Sequence, residues 1–138
     1  MSAEETRIQH LSQERCWELL RSQSVGRLAV AITNHPDVFP VNYAVQDHTI
    51  VVRTAAGQKL AAAVLGTAVA FEADTLDEAT RSGWSIVVKG TAVEPKLLED
   101  YLRAEDLEIE PWAGGEKSRY IVIMPDNITG REIPIPTA

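Results

Sequence analysis

The sequence predicts a mainly β protein, an antiparallel barrel with attached helices. Six or seven segments show strand-like patterning bounded by turn chemistry. The connections between them are short, and the three helical segments do not alternate with strands as βαβ units. The 138 residues, 45% hydrophobic and 24% charged, suit one globular domain over 1–138.

Residues 1–10 are polar and expected to be flexible. Ser12 caps a predicted helix to about Gln23, with Leu11 and Cys16 at the spacing of a hydrophobic staple. Cys16, Trp17, Leu19 and Leu20 form its apolar stripe, and Cys16 reads as a small core residue. Val25–Ile32 reads as a strand with Leu28, Val30 and Ile32 on one face. Asn34-His35-Pro36-Asp37 is turn chemistry. Val38–Val45 is the second strand, and Pro40 belongs in an outer or opening part of it, because proline lacks the ladder donor. Gln46-Asp47-His48 is a short turn, which makes a hairpin with Thr49–Thr54.

A helix follows from about Gly57 to Leu65, with Leu60, Val64 and alanines on its buried face and Gly66 ending it. Thr67–Ala73 is the fourth strand, and Asp74–Ser82 reads as a polar connection. Gly83–Glu94 is the longest predicted strand, with Gly90 marking a bulge or bend. Pro95 opens a helix of about ten residues bearing Leu97, Leu98, Tyr101 and Leu102. Glu110–Lys117 is an irregular loop holding Trp112. Arg119–Met124 and Asn127–Ile133 close the chain as two strands.

Composition excludes several function classes. The net charge of −7 argues against general binding to nucleic acid or an anionic membrane. No apolar run reaches the roughly 18 residues of a spanning helix. The start, MSAEETRIQHLSQER, carries no apolar leader core, so a cytoplasmic protein is expected. One cysteine and three scattered histidines make neither a disulfide framework nor a structural zinc site. Phosphate-loop, dinucleotide, nucleophile-elbow and HExxH motifs are absent. Glu72 and Asp74 share one strand face, where solvent exposure is the expected state.

One constellation suggests a ligand. No acid lies between His48 and Phe71, a window that holds Arg53 and Lys59. Arg53 ends a strand, Thr54 follows, and a helix begins within a few residues. Helix starts expose free amides and a positive dipole end. Arg53 could clamp phosphate oxygens bidentately, Thr54 could donate its hydroxyl, and Lys59 could add a point charge. Two surface cations and a helix cap would look the same. Beside it, Pro40-Val41-Asn42-Tyr43 could offer amides, a side-chain amide and an aromatic ring to a flat heterocycle.

The strings VGRLAVAI, FPVNYAV, TIVVRTAAGQKLAAA, AVAFEAD and GWSIVVKGTAVEP, in this order, resemble the pyridoxamine 5′-phosphate oxidase-like flavin-binding split-barrel proteins over residues 10–133. The resemblance implies a six-stranded split barrel, a homodimer, and FMN in the dimer groove. It implies that Arg53, Thr54 and Lys59 hold the cofactor phosphate and that Pro40, Val41, Asn42 and Tyr43 border the ring. It also implies Trp84 and Ser85 near the groove and Trp112 in a loop reaching the partner subunit. The true oxidases carry cations on the strand matching Val41–Val45 and an Arg/His motif near the C-terminus. Here the strand has none and the C-terminus offers only Arg131, so oxidation of pyridoxamine phosphate is not expected. FMN is expected ahead of a deazaflavin, whose anionic tail wants several cations. The implied function is a low-specificity flavin reductase or oxidoreductase acting on a small molecule, with a nicotinamide electron donor possible. The alternative is a non-catalytic dimeric module holding flavin, deazaflavin or haem.

Overall fold

The computed structural model describes residues 7–54, 57–112 and 119–136, with the backbone alone for 54 and 57–60. Ten elements follow one another: β1 (Gln9–His10), α1 (Gln13–Arg21), β2 (Val25–Ile32), β3 (His35–Gln46), β4 (Thr49–Thr54), α2 (Gly57–Val64), β5 (Ala68–Asp77), β6 (Ser82–Val93), α3 (Leu98–Asp106) and β7 (Arg119–Ile133). The sheet runs β1-β7-β4-β3-β2-β5-β6, and a further β6–β7 pairing closes β2 to β7 into a six-stranded antiparallel barrel. The predicted split barrel with three short helices is therefore the observed fold. β1 is an addition to it: Gln9 and His10 pair with Glu132 and Arg131, so these two residues are sheet, contrary to the expected flexible start.

Local chemistry explains most boundaries. The Ser12 side chain accepts a hydrogen bond from the Arg15 amide at 3.1 Å and caps α1. Thr33 and Asn34 both have positive φ, 50° and 61°, and form the two-residue turn between Ile32 and His35. The turn is thus shorter than the tetrapeptide expected from composition, and His35–Asp37 belong to β3. Pro40 pairs with β2 through Arg27, while the ladder to β4 starts only at Asn42, so no β4 acceptor lacks a donor there. The presumed connection 74–82 is corrected more deeply: β5 runs on to Asp77 and turns tightly, with Arg81 at φ 55°, into β6 at Ser82. The two expected C-terminal strands are one, because β7 pairs with β6 from Val122 to Ile133 across an irregularity at Lys89/Gly90. Gly90 is required there, since a Cβ would stand 2.1 Å from the Met124 carbonyl oxygen.

The barrel interior is filled by Leu28, Ile50, Val52, Phe71, Ile86, Val88, Ile121 and Ile123, all fully buried. Cys16 and Leu20 of α1 and Ala61 and Val64 of α2 join this core. A smaller cluster lies outside the barrel, where Ala104 of α3, Ile109, Val51 and Tyr120 meet. Ala104 is the residue that α3 buries, while Leu97, Leu98, Tyr101 and Leu102 are 42–72% exposed. No helix among the described residues is long and apolar enough to cross a membrane.

Candidate functional site

The alternation of β3 sorts the predicted ring-binding strand into two faces. Val41 and Tyr43 point into the core. The Tyr43 ring sits edge-on to Phe71 at 4.7 Å, its hydroxyl donates to the Leu20 carbonyl at 2.6 Å, and burial pushes its pKa up. The Tyr43 side chain therefore supports the fold, and its hydroxyl is engaged by Leu20, while the residue itself still borders the cleft between this strand and the loop after α3. Pro40, Asn42 and Ala44 take the outward face.

Asn42 stands opposite Arg53 across the β3–β4 ladder, and Arg53 stands opposite Tyr120 across the β4–β7 ladder. The loop after α3 folds onto this row. The Trp112 amide donates to Asn42 Oδ1 at 2.9 Å, and Arg53 Nη1 donates to the Ile109 carbonyl at 2.8 Å. The Arg53 guanidinium also lies 5.6 Å from the centre of the Tyr120 ring. Tyr120 packs edge-on against Tyr101 at 5.5 Å, and its hydroxyl is held un-ionised chiefly by burial. Between loop and strand opens a cleft of about 340 Å³, lined by Ser24, Asn42, Ala44, Leu107, Glu110 and Trp112 among others. The Trp112 side chain is 76% exposed at its rim.

Three predicted site residues thus come together on one side of the barrel: Asn42 pairs with Arg53 across β3–β4 and holds the Trp112 amide of the loop above, while Pro40 lies on the same outward face of β3, ahead of the β4 ladder. The backbone at Thr54 ends β4 and that at Lys59 lies in the first turn of α2; their side chains lie outside the described residues. Trp84 and Ser85 do not join this cleft within one chain. They line a second hollow of about 180 Å³ with Leu76, Arg131 and Ile133. The contacts of Arg53 with Ile109 and Tyr120 were not anticipated. The pairing of β4 with β7 is what brings Tyr120 in, and no local sequence signal announces it.

The carboxylates expected in solvent are also placed differently. Glu72 and Asp74 keep only 31% and 23% of their side-chain surface, and both accept from Arg27 Nη1, at 3.2 and 3.4 Å. Burial raises the Glu72 carboxyl first, the hydrogen bond and charge of Asp74 raise it further, and Arg27 opposes them, leaving it at about 7.

With this geometry in hand, the relatives are informative. An uncharacterised protein of Mycobacterium tuberculosis is 34% identical over 131 residues, which span 91% of this chain and 86% of that one. Among solved structures, the FAD binding protein from Mycobacterium smegmatis superposes with a TM-score of 0.79 at 36% identity, covering 91% of this chain and all of the other. A FAD-binding protein from Mesorhizobium loti does so with a TM-score of 0.72 at 26% identity, over 91% and 96%. The family model described as pyridoxamine 5′-phosphate oxidase matches residues 12–132, nearly the whole described barrel. The split barrel, the order of its strands and this match lead to one conclusion: the chain belongs to the pyridoxamine 5′-phosphate oxidase family.

Proposed function

We propose that this protein is a homodimer that binds a flavin nucleotide and uses it to reduce or oxidise a small molecule. The phosphate end belongs at the corner where β4 passes into α2, and the ring belongs along the outward face of β3. The observation that carries this reading is Asn42, which lines the cleft, paired across the ladder with Arg53, which holds the Ile109 carbonyl of the cleft's loop, in a chain 36% identical to a FAD-binding protein. Asn42 brings an amide to the cleft and Arg53 a planar cation at its phosphate-facing end. The first amides of α2 lack helical partners and suit an anion. FMN is the cofactor that the sparse cations favour over a deazaflavin, and they suit FAD equally. Two relatives that are FAD-binding proteins support a reading with FAD ahead of FMN.

When bound, the flavin supplies the hydride chemistry, and the protein contributes placement and electrostatics. Arg53 holds charge, Asn42 orients polar edges, and the 107–112 loop shields the cleft from water. The C-terminal stretch from Met124 offers only Arg131, so pyridoxamine phosphate is not the proposed substrate.

The test begins with protein stripped of any ligand, mixed with FAD or FMN and passed through a desalting column. Retained flavin absorbance, followed by its bleaching with a nicotinamide donor and turnover with an acceptor, is the expected result. Retention without turnover would leave a binding module, and no retention of either flavin would end the reading.

A further inference from the structure

The Arg27–Glu72–Asp74 cluster lies outside the cleft and has no part in the function proposed above. β2 and β5 pair over three positions only: Arg27↔Glu72, Leu28↔Phe71 and Ala29↔Ala70. Arg27–Glu72 is the last rung. Past it β2 continues against β3 through Gly26 and Val25, while β5 continues against β6 from Ala73 to Asp77. The strands approach closely just there, since a Cβ on Gly26 would stand 2.3 Å from the Phe71 ring and 2.8 Å from the Glu72 carbonyl oxygen.

The side chains bridge the point where the ladder ends. Arg27 reaches Glu72 on the rung and Asp74 beyond it with the same nitrogen, at 3.2 and 3.4 Å. One guanidinium therefore serves two carboxyl groups. The neighbouring strands add no charge directly opposite: β3 presents Pro40 to Arg27, and β6 presents Val87 to Glu72 and Ser85 to Asp74. The next cations outward are Lys89, opposite Ala70, and Arg131, behind Ser85. The trio is neutral while Glu72 keeps its proton and carries a net negative charge once that proton leaves to water.

We propose that this cluster is a proton-operated latch on the β2–β5 seam: with a proton on Glu72 the last rung is held closed, and loss of that proton loosens it. The Glu72 carboxyl titrates at about 7, so the latch works around neutrality. A carboxyl whose folded pKa lies above its ordinary 4.5 binds its proton more tightly when folded. Its stabilisation is full below that ordinary value and is lost as pH rises through the folded one.

The test uses the full chain without added ligand. Carboxyl-carbon NMR across pH should show one Glu side chain titrating near neutrality, absent in Glu72→Gln and displaced toward the acid range in Asp74→Asn. Amide exchange, corrected for its intrinsic pH dependence, should show opening of the amides that bridge β2 and β5 within Arg27–Ala29 and Ala70–Glu72 growing by up to roughly tenfold from about pH 6 to about pH 8 in the wild type and staying flat in Glu72→Gln. The amide in that variant keeps the hydrogen bonds and mimics the protonated form. Ordinary acid titration of Glu72 in the wild type would overturn the latch, and so would an identical exchange profile in wild type and Glu72→Gln. Should that variant fail to fold, the wild-type titration and its displacement in Asp74→Asn still decide the matter.

Discussion

Arg53 faces two demands at once. Its Nη1 holds the Ile109 carbonyl and its plane lies near Tyr120, and the proposed function asks it to meet a phosphate as well. Arg53→Ala should therefore weaken flavin retention by more than roughly tenfold and also cost about 1–2 kcal/mol of stability through the lost contacts. Arg53→Lys should recover charge and not the planar, forked donor set, so titration with flavin should place it between wild type and alanine. Tyr43 gives the contrasting case. Tyr43→Phe removes a buried donor to Leu20 and should lower stability by about 1 kcal/mol in urea unfolding while leaving flavin affinity unchanged. The candidate site was legible in the sequence as a row of residue types, but not which of them point outward. Period two decides that for β3, and applying it would have kept Asn42 and set Tyr43 aside. The Ile109 and Tyr120 contacts of Arg53 depend on strand pairing distant in sequence, which local patterning does not carry.

At the level of elements, patterning located every major strand, and it failed where charge was read as loop. Asp74, Thr75 and Asp77 are polar because β5 runs past the core here, with Thr75, Leu76 and Asp77 all exposed, and the hairpin to β6 needs only a tight turn. The C-terminal strand looked broken because Pro125-Asp126-Asn127 has turn composition. It is the site of the irregular register opposite Lys89 and Gly90, so proline sits where the ladder is already disturbed. Gly90 itself was readable, because a glycine inside an apolar strand marks a bulge or a close approach. Gly90→Ala must push against the Met124 carbonyl and the Pro125 Cα, both backbone. It should cost about 2–4 kcal/mol, read as a lowered urea midpoint with an unchanged slope. The seam beside Gly26 is tight for the same reason, with the difference that the nearest atoms there belong to the Phe71 ring.

For the molecule as a whole, the question is what covers its apolar surface. Leu97, Leu98, Tyr101 and Leu102 of α3 and Trp112 in the loop after it are exposed in a single chain. Trp84 and Ser85, implied by the family resemblance to lie near the groove, line a hollow of their own in one copy. A groove built from two copies would bring such separated parts of the site together, which is why the homodimer belongs to the proposed function. Opposing it is self-repulsion: each copy carries a net charge of −7, screened within about 8 Å at physiological salt. Association driven by apolar burial should therefore tighten with added salt, because the charge term opposes it and the apolar term does not depend on screening. Sedimentation at micromolar protein should give a species of about 30 kDa, twice the 15.2 kDa chain, with dissociation more evident at low ionic strength. Added flavin should move the same equilibrium toward the dimer if the ligand touches both copies, since a ligand that favours one state stabilises it by mass action. A chain that stays at 15.2 kDa across salt and flavin would mean that each copy binds its ligand alone, in the Asn42–Trp112 cleft.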